Sequence, residues 1–250
     1  MSPAEPLSAD APRLAGPVMM NQDWRDLTFL HWAVEPQRVR RLMPAGVRPD
    51  VIDGRTYVGL VPFRMVDAGV GRGRGVPWAG TFLETNVRLY SVDDTGRRGI
   101  VFLSLDTDRL PVVAGARAAF GLPYRWARMR HRATSAGTQH YESRLRRPGW
   151  RPRSRVAVRV GPARPSTPLD LFLTARWGLH VRCWGRTTYI PNRHGRWPLR
   201  EAEVITLEDE LLSSVGLGEL AGRAPDHVAF SDGVHTEFGL PTVPSARSRT

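Results

Sequence analysis

The chain has 250 residues, with 36 basic side chains against 24 acidic ones and a net charge of +12; all 36 are arginine. Without lysine no side-chain amine can form a Schiff base. Lysine-imine catalysis and lysine-held pyridoxal phosphate are therefore excluded, as are a Walker-type phosphate loop and a protein-kinase site.

One cysteine, Cys183, excludes an internal disulfide framework and a cysteine zinc site, and its context reads as a core thiol. Residues 1–20 carry Glu5, Asp10 and four prolines but neither the basic start nor the apolar stretch of a signal peptide, and read as a disordered leader. Residues 21–240 read as a single domain and 241–250 as a disordered tail. No apolar run is long enough to span a bilayer, so the expected compartment is the cytoplasm.

Period-2 alternation dominates the domain, the signature of strands. The spacing predicts a strand over Leu27–Val34. A short helix over Gln37–Met43 is opened by Pro36 and stopped by Pro44. A long strand over Arg55–Val66 is broken at Pro62. Gly69–Gly75 reads as a mobile glycine-arginine loop, a lid over a pocket mouth, and misses the dinucleotide fingerprint because no helix follows it. Thr81–Val92 and Gly99–Asp106 read as a hairpin. Leu110–Phe120 is the clearest helix, ended by Gly121 and Pro123. Three strands follow over Tyr124–Arg132, Gln139–Arg146 and Arg153–Val160. Thr167 caps a helix running to about Trp177, with Asp170 in the capping-box position, and a last helix is expected over Leu207–Val215. The fold class is α+β, mostly antiparallel β, in a large closed β-barrel with a few short helices.

The strand Thr81–Val92 carries the most chemistry. Phe82, Glu84, Asn86, Arg88 and Tyr90 share one face, and Leu83, Thr85, Val87 and Leu89 the other. The apolar face meets a core; the polar face either meets water or lines a pocket. In a pocket, Glu84 would serve as general acid or base, and Arg88 would grip a carboxylate with its planar fork. The seven histidines form neither HxxxH nor HExxH, so no metal site is expected, and no cofactor motif is present. His31, beside Trp32, and His194, in His194-Gly-Arg-Trp-Pro-Leu199, stand out by context but read as structural or surface residues.

Residues Arg117–Arg164 hold 13 arginines and one acid, Glu142, a local charge of +12 equal to that of the whole chain. Alternation puts Arg128, Arg130 and Arg132 on one face, then His140, Arg144 and Arg146, then Arg153, Arg155 and Arg159. A meander of these strands would present an arginine-covered sheet, either a solvated face or one open to nucleic acid through counterion release.

Several blocks together resemble a known family. Trp24-Arg-Asp-Leu-Thr-Phe-Leu-His-Trp32, Val58-Gly-Leu-Val-Pro-Phe-Arg-Met65, Phe82-Leu-Glu-Thr-Asn-Val-Arg-Leu-Tyr90, Phe102-Leu-Ser-Leu-Asp106, Gly121-Leu-Pro-Tyr124, Leu173-Thr-Ala-Arg-Trp177 and Trp197-Pro-Leu199 are similar to the YqjF-like family of uncharacterised bacterial proteins. That family in turn resembles the acetoacetate decarboxylase superfamily, which implies a large β-barrel with an internal ligand pocket. In the decarboxylases an Ala-Gly-Arg helix leads into Gly-aromatic-Pro-Lys-Lys, whose first lysine forms the imine. Here Ala114-Gly-Ala-Arg117 leads into Gly121-Leu-Pro-Tyr-Arg125, so Tyr124 takes that lysine's place and Arg125 its neighbour's. Glu84 falls near the acidic pocket residue.

The resemblance thus implies a barrel pocket for a small anionic or carbonyl-bearing molecule. Glu84 and Tyr124 are the expected proton-transfer groups, and Phe82, Asn86, Arg88, Arg125 and Trp126 the expected ligand-binding ones. Any turnover would be of lyase or isomerase type without an imine; a non-enzymatic binding protein with the same pocket is the alternative. Strict alternation from an inward Tyr124 would also send Trp126 and Arg128 inward, unless a β-bulge intervenes.

Overall fold

A computed structural model describes residues 2–243. Twelve strands follow one another with four short helices between them: β1 (Val18–Val34), α1 (Pro36–Arg40), β2 (Val47–Pro49), β3 (Thr56–Val70), β4 (Phe82–Asp93), β5 (Arg98–Thr107), α2 (Leu110–Phe120), β6 (Tyr124–Ala133), β7 (Thr138–Leu145), β8 (Arg153–Ala163), α3 (Pro168–Thr174), β9 (Gly178–Cys183), β10 (Arg186–His194), β11 (Leu199–Asp209), α4 (Leu211–Ser214) and β12 (His227–Gly239). No helix among the described residues is long and apolar enough to cross a membrane.

Several expectations hold in detail. α2 has the expected bounds, and Gly121 ends it at φ +65°, where an added Cβ would stand 2.5 Å from the Arg182 carbonyl oxygen. Thr167 and Asp170 form the expected reciprocal cap at the start of α3, although the helix stops at Thr174.

Others are corrected. β3 runs unbroken through Pro62, because the ladder to β1 shifts register between Leu60 and Arg64 and no donor is required there. Leu207–Asp209 extends β11 by pairing with β8, which leaves only Leu211–Ser214 helical. Residues 2–17 of the expected leader are laid on the body as coil rather than left loose, and 18–20 already belong to β1. The Ser2 amide bonds the Asp94 carbonyl, the Glu5 carboxylate accepts from the Arg98 amide, and Trp177 Nε1–H donates to the Ser8 carbonyl. Thr242 pairs with Tyr189; the rest of the expected tail, 244–250, lies outside the described residues. Cys183 is half-buried.

All pairings are antiparallel except β5–β6 and β5–β9. The pairing order closes on itself twice. β12, β1, β3, β4, β5, β9 and β10 form one ring, closed by β10–β12; β5, β6, β7, β8 and β11 return to β12 to form a second. One closed barrel was expected. The two rings instead share the wall β12-β1-β3-β4-β5.

Alternation in that wall therefore serves two interiors at once. Leu30, Trp32, Val58, Leu60, Val87 and Leu89 point into the second ring, which Tyr141, Val156, Val158, Leu211 and Leu212 fill. Leu27, Phe29, Val61, Phe63, Met65 and Phe82 point into the first ring. Both faces of β4 are buried for this reason, and the polar face meets a cavity rather than bulk water.

Candidate functional site

The first ring encloses a cavity of about 520 Å³. Its walls are largely apolar, with Trp24, Phe29, Phe63 and Phe82 from the sheet, Trp197 from the β10–β11 loop, and Pro111, Val112, Ala116 and Phe120 from α2. Gly69 and Val70, where β3 enters the glycine-arginine loop, and Val76, Ala79 and Gly80 just after it also line it. Asn21 Nδ2 pins that loop by donating to the Gly71 and Gly73 carbonyls. An apolar cleft carrying a few converging polar groups is the usual form of a small-molecule site.

Alternation along β4 brings Phe82, Glu84, Asn86 and Arg88 into the cavity together. Tyr124, the first residue of β6, enters from beside β5 and donates its hydroxyl proton to Glu84 Oε2 at 2.7 Å. Asn86 Nδ2 donates to Glu84 Oε1 at 3.2 Å. Burial pushes the Glu84 carboxyl up to about 7, against the opposing pull of these two hydrogen bonds and of Arg88. Burial and the neighbouring Glu84 carboxylate push the Tyr124 hydroxyl well above its ordinary value. Near neutral pH the pair holds one readily transferable proton, on a carboxyl able to take either form.

Arg88 is 8% exposed and has no carboxylate within 4 Å among the described residues. Its guanidinium lies over the Phe29 ring at 5.6 Å, and its Nε is buried without a hydrogen-bond partner. The other lining arginine, Arg176, is already committed to Asp50 at 2.5 Å and to the Phe172 carbonyl. A buried cation without a counter-ion is costly unless something charged completes its site.

Two expected ligand-binding residues point elsewhere. Arg125 turns away from the cavity, bonding Asp106 Oδ1 at 2.6 Å and Ser214 Oγ at 2.8 Å. Trp126 lies under the Arg146 guanidinium at 4.8 Å, and Arg128 is exposed. Alternation from the inward Tyr124 turns Arg125 outward, and Trp126 and Arg128 follow a change of partner: β6 pairs in parallel with β5 over Tyr124–Trp126, then antiparallel with β7 from Ala127 onward. Burial parity changes with it, since Tyr124 and Ala127 are both buried though three residues apart.

The structure also adds residues that were read as structural or passed over. Asn192 and His194 alternate inward on β10, and the Asn192 side-chain oxygen is buried without a partner. His194 is enclosed by Trp177 at 4.7 Å, Trp197 at 5.0 Å and Trp24 at 5.9 Å. Its Nδ1 lies 2.6 Å from the Gly195 carbonyl, which only accepts, so Nδ1 carries the hydrogen and Nε2 the lone pair. Burial lowers its pKa to about 4, which keeps the ring neutral. The available signal was alternation: Asn192 and His194 follow Ile190 on one face of a strand.

Comparison with known proteins agrees with this architecture. The chain is 31% identical to the uncharacterized protein YqjF of Bacillus subtilis over 193 residues, covering 74% of this chain and 76% of that protein. Among solved structures, acetoacetate decarboxylase from Legionella pneumophila superposes with a TM-score of 0.63 at 13% identity, covering 94% and 92% of the two chains. The enduracididine biosynthesis enzyme MppR complexed with pyruvate superposes with a TM-score of 0.61 at 15% identity, covering 93% of each. An acetoacetate decarboxylase-like enzyme from Sphingomonas wittichii RW1 also gives 0.61, at 12% identity over 91% and 94%. At these identities the structures establish a shared fold. Residues 21–235 match the DUF2071 family of uncharacterized conserved proteins, and with the relative of 31% identity this makes the chain a member of that family.

Proposed function

We propose that the seven-strand ring is a ligand barrel for a small organic anion bearing a carbonyl group, in the manner of a 2-oxo acid. The observation that carries this reading is Arg88, a buried guanidinium without a counter-ion, beside a Glu84–Tyr124 pair that shares a proton. A carboxylate on Arg88 satisfies both charges. The remainder of the ligand then packs on Phe29 and Phe82, with its carbonyl end toward Glu84 and Tyr124. A similar structure, MppR, is described as complexed with pyruvate, which suits the same ligand class. A cytoplasmic location fits a metabolite ligand.

Turnover in this site is acid–base chemistry. Ionised Glu84 removes a proton next to the carbonyl, and the Tyr124 hydroxyl donates to the oxygen that gains charge. Tyr124 cannot form an imine, and neither can any other side chain of a lysine-free sequence. The reaction class is therefore enolisation, isomerisation or lyase chemistry without a covalent intermediate. Thermal shift and calorimetry with 2-oxo acids, set against the matching alcohols and amides, test the binding. Arg88→Met is expected to lower affinity for the acids at least tenfold while leaving the fold intact; equal affinity would overturn the reading. Solvent-deuterium exchange at the ligand's α-carbon, lost in Glu84→Gln, separates an enzyme from a binding protein.

A second reading rests on the arginine strands. Register places Arg128, Arg144 and Arg153 directly opposite one another across β6, β7 and β8. Like charges so placed repel, and the exposed Trp150 sits in the same surface cleft. We propose this cleft as an attachment point for single-stranded nucleic acid, arginines holding phosphates and Trp150 stacking on a base. It predicts oligonucleotide affinity falling with salt at a log–log slope of about −0.7 per neutralised phosphate; salt-independent or absent binding rejects it.

A further inference from the structure

One row of residues runs straight across the shared wall. His227 on β12 lies opposite His31 on β1, His31 opposite Gly59 on β3, and Gly59 opposite Arg88 on β4. An added Cβ on Gly59 would stand 3.0 Å from Arg88 Cγ and 3.1 Å from His31 Cδ2. The missing side chain is thus what lets His31 and Arg88 approach each other over β3.

Hydrogen bonds continue the row in both directions. His31 Nε2 is 2.6 Å from the Tyr90 hydroxyl, and His31 Nδ1 is 3.0 Å from His227 Nδ1. His227 Nε2 is 2.8 Å from Asp170 Oδ1. Asp170 also accepts from both Nη atoms of Arg164 and from the Thr167 amide and hydroxyl. Against the cost of burial, these bonds hold its carboxyl well below the usual range. The charged and titratable groups facing the pair are Arg88 and Tyr90 from β4 and Asp170, with its partner Arg164, at the cap of α3. Beyond them Arg176 lies over the Tyr90 ring at 5.0 Å.

The ionised Asp170 fixes the direction of every bond in the chain. Asp170 only accepts, so His227 carries its hydrogen on Nε2. In the neutral pair His227 Nδ1 then accepts from His31 Nδ1–H, and His31 Nε2 accepts from the Tyr90 hydroxyl. One added proton can charge either ring, the two arrangements differing only in which Nδ1 keeps the hydrogen between them, and the ionised Asp170 favours the ring it contacts. His227 becomes the imidazolium, donating from Nδ1 and Nε2, and Asp170 balances its charge. His31 Nδ1 now accepts, its ring hydrogen sits on Nε2, and that N–H donates to the Tyr90 oxygen. The hydroxyl hydrogen of Tyr90 is released from His31. The balance is one proton taken from solvent, with no bond to carbon changed.

Arg88 belongs both to this row and to the cavity. Burial first, and then the positive charges of His227 and Arg88, keep His31 well below its ordinary pKa. By reciprocity, whatever neutralises Arg88 strengthens proton binding by the pair. We propose that the His31–His227 pair is a proton reservoir for the cavity, taking up one proton when an anion occupies Arg88 and reversing the hydrogen bond to Tyr90. This rests on the anion reading of the cavity, and the experiment separates the two.

The test is 15N-histidine NMR on the full chain from pH 9 down to 4. At pH 8 His31 is expected as the Nδ1–H tautomer and His227 as the Nε2–H tautomer. On acidification His227 charges while His31 changes to Nε2–H. Arg88→Met removes the cavity charge without any ligand, and is expected to raise the midpoint of this transition by about one pH unit, a tenfold gain in proton affinity. Asp170→Asn is expected to lower it, and saturating pyruvate to raise it in the unmodified chain. An Nε2–H tautomer for His31 at pH 8, or a midpoint unmoved by Arg88→Met, overturns the proposal. A normal Arg88→Met shift with no pyruvate binding counts against the ligand reading instead.

Discussion

The two rings share five strands yet have opposite interiors. On one face of the wall Leu30, Trp32, Val87 and Leu89 meet the side chains of β7, β8 and α4 in a filled core. On the other, residues one position along the same strands surround a cavity of about 520 Å³ and include Glu84, Asn86 and Arg88. Propensity cannot explain the difference, because the same backbone serves both. What differs is the opposing wall. The filled ring receives leucine, valine and tyrosine side chains long enough to meet the wall. The hollow ring faces β9, β10 and α2, which leave a space of about 520 Å³ between them and the wall. The contrast predicts that stability is concentrated in the filled interior and the proposed binding chemistry in the hollow one.

The largest expected effect tests the filled side. Trp32 is fully buried and donates from Nε1 to the Arg223 carbonyl at 3.0 Å. Trp32→Ala should cost about 3–5 kcal/mol in urea unfolding, whereas Trp24→Ala, at the cavity, should cost clearly less. Equal losses would break the contrast between the rings.

The next effect is a pH dependence seated in the hollow ring. Glu84 is raised to about 7 in the folded chain from an ordinary value of 4.5. Between those two values the folded state holds a proton that the unfolded state has released. Stability from this group is therefore complete below the lower value and falls as pH rises through the upper one, by about 3 kcal/mol at most. Glu84→Gln should remove that slope; parallel stability curves for the two proteins between pH 5 and 8 would refute it.

The smallest effect belongs to the outer surface. Arg159 reaches Glu203 at 2.6 Å with both side chains exposed. Arg159→Ala should change stability by less than about 1 kcal/mol, since solvent and salt screen such pairs. A larger loss would mean that the arginine face contributes to the fold.

The parts legible in the sequence were those governed by local rules. Alternation on Phe82–Tyr90 collected Glu84, Asn86 and Arg88 on one face, and that face lines the cavity. Gly121 and the Thr167–Asp170 cap marked their helix boundaries because a positive φ and a free amide are local demands. Trp126 was misplaced because alternation holds only while a strand keeps its partners, and β6 exchanges β5 for β7 within four residues; Arg125, expected in the pocket from the resemblance, points outward as alternation from an inward Tyr124 requires. His194 was read as structural because Trp24 and Trp177, which enclose it together with its near neighbour Trp197, lie elsewhere in the sequence.

By itself the sequence determined the strand-rich class, the polar face of β4 and, through its missing lysine, the lack of any side-chain amine for an imine, for each follows from residue identity or short-range periodicity. Only the tertiary structure decided that both faces of the wall are buried, that Arg88 has no carboxylate within 4 Å among the described residues, and that His31 meets His227, Tyr90 and Arg88. Those facts depend on which strands pair and in what register, and pairing brings together residues more than a hundred positions apart.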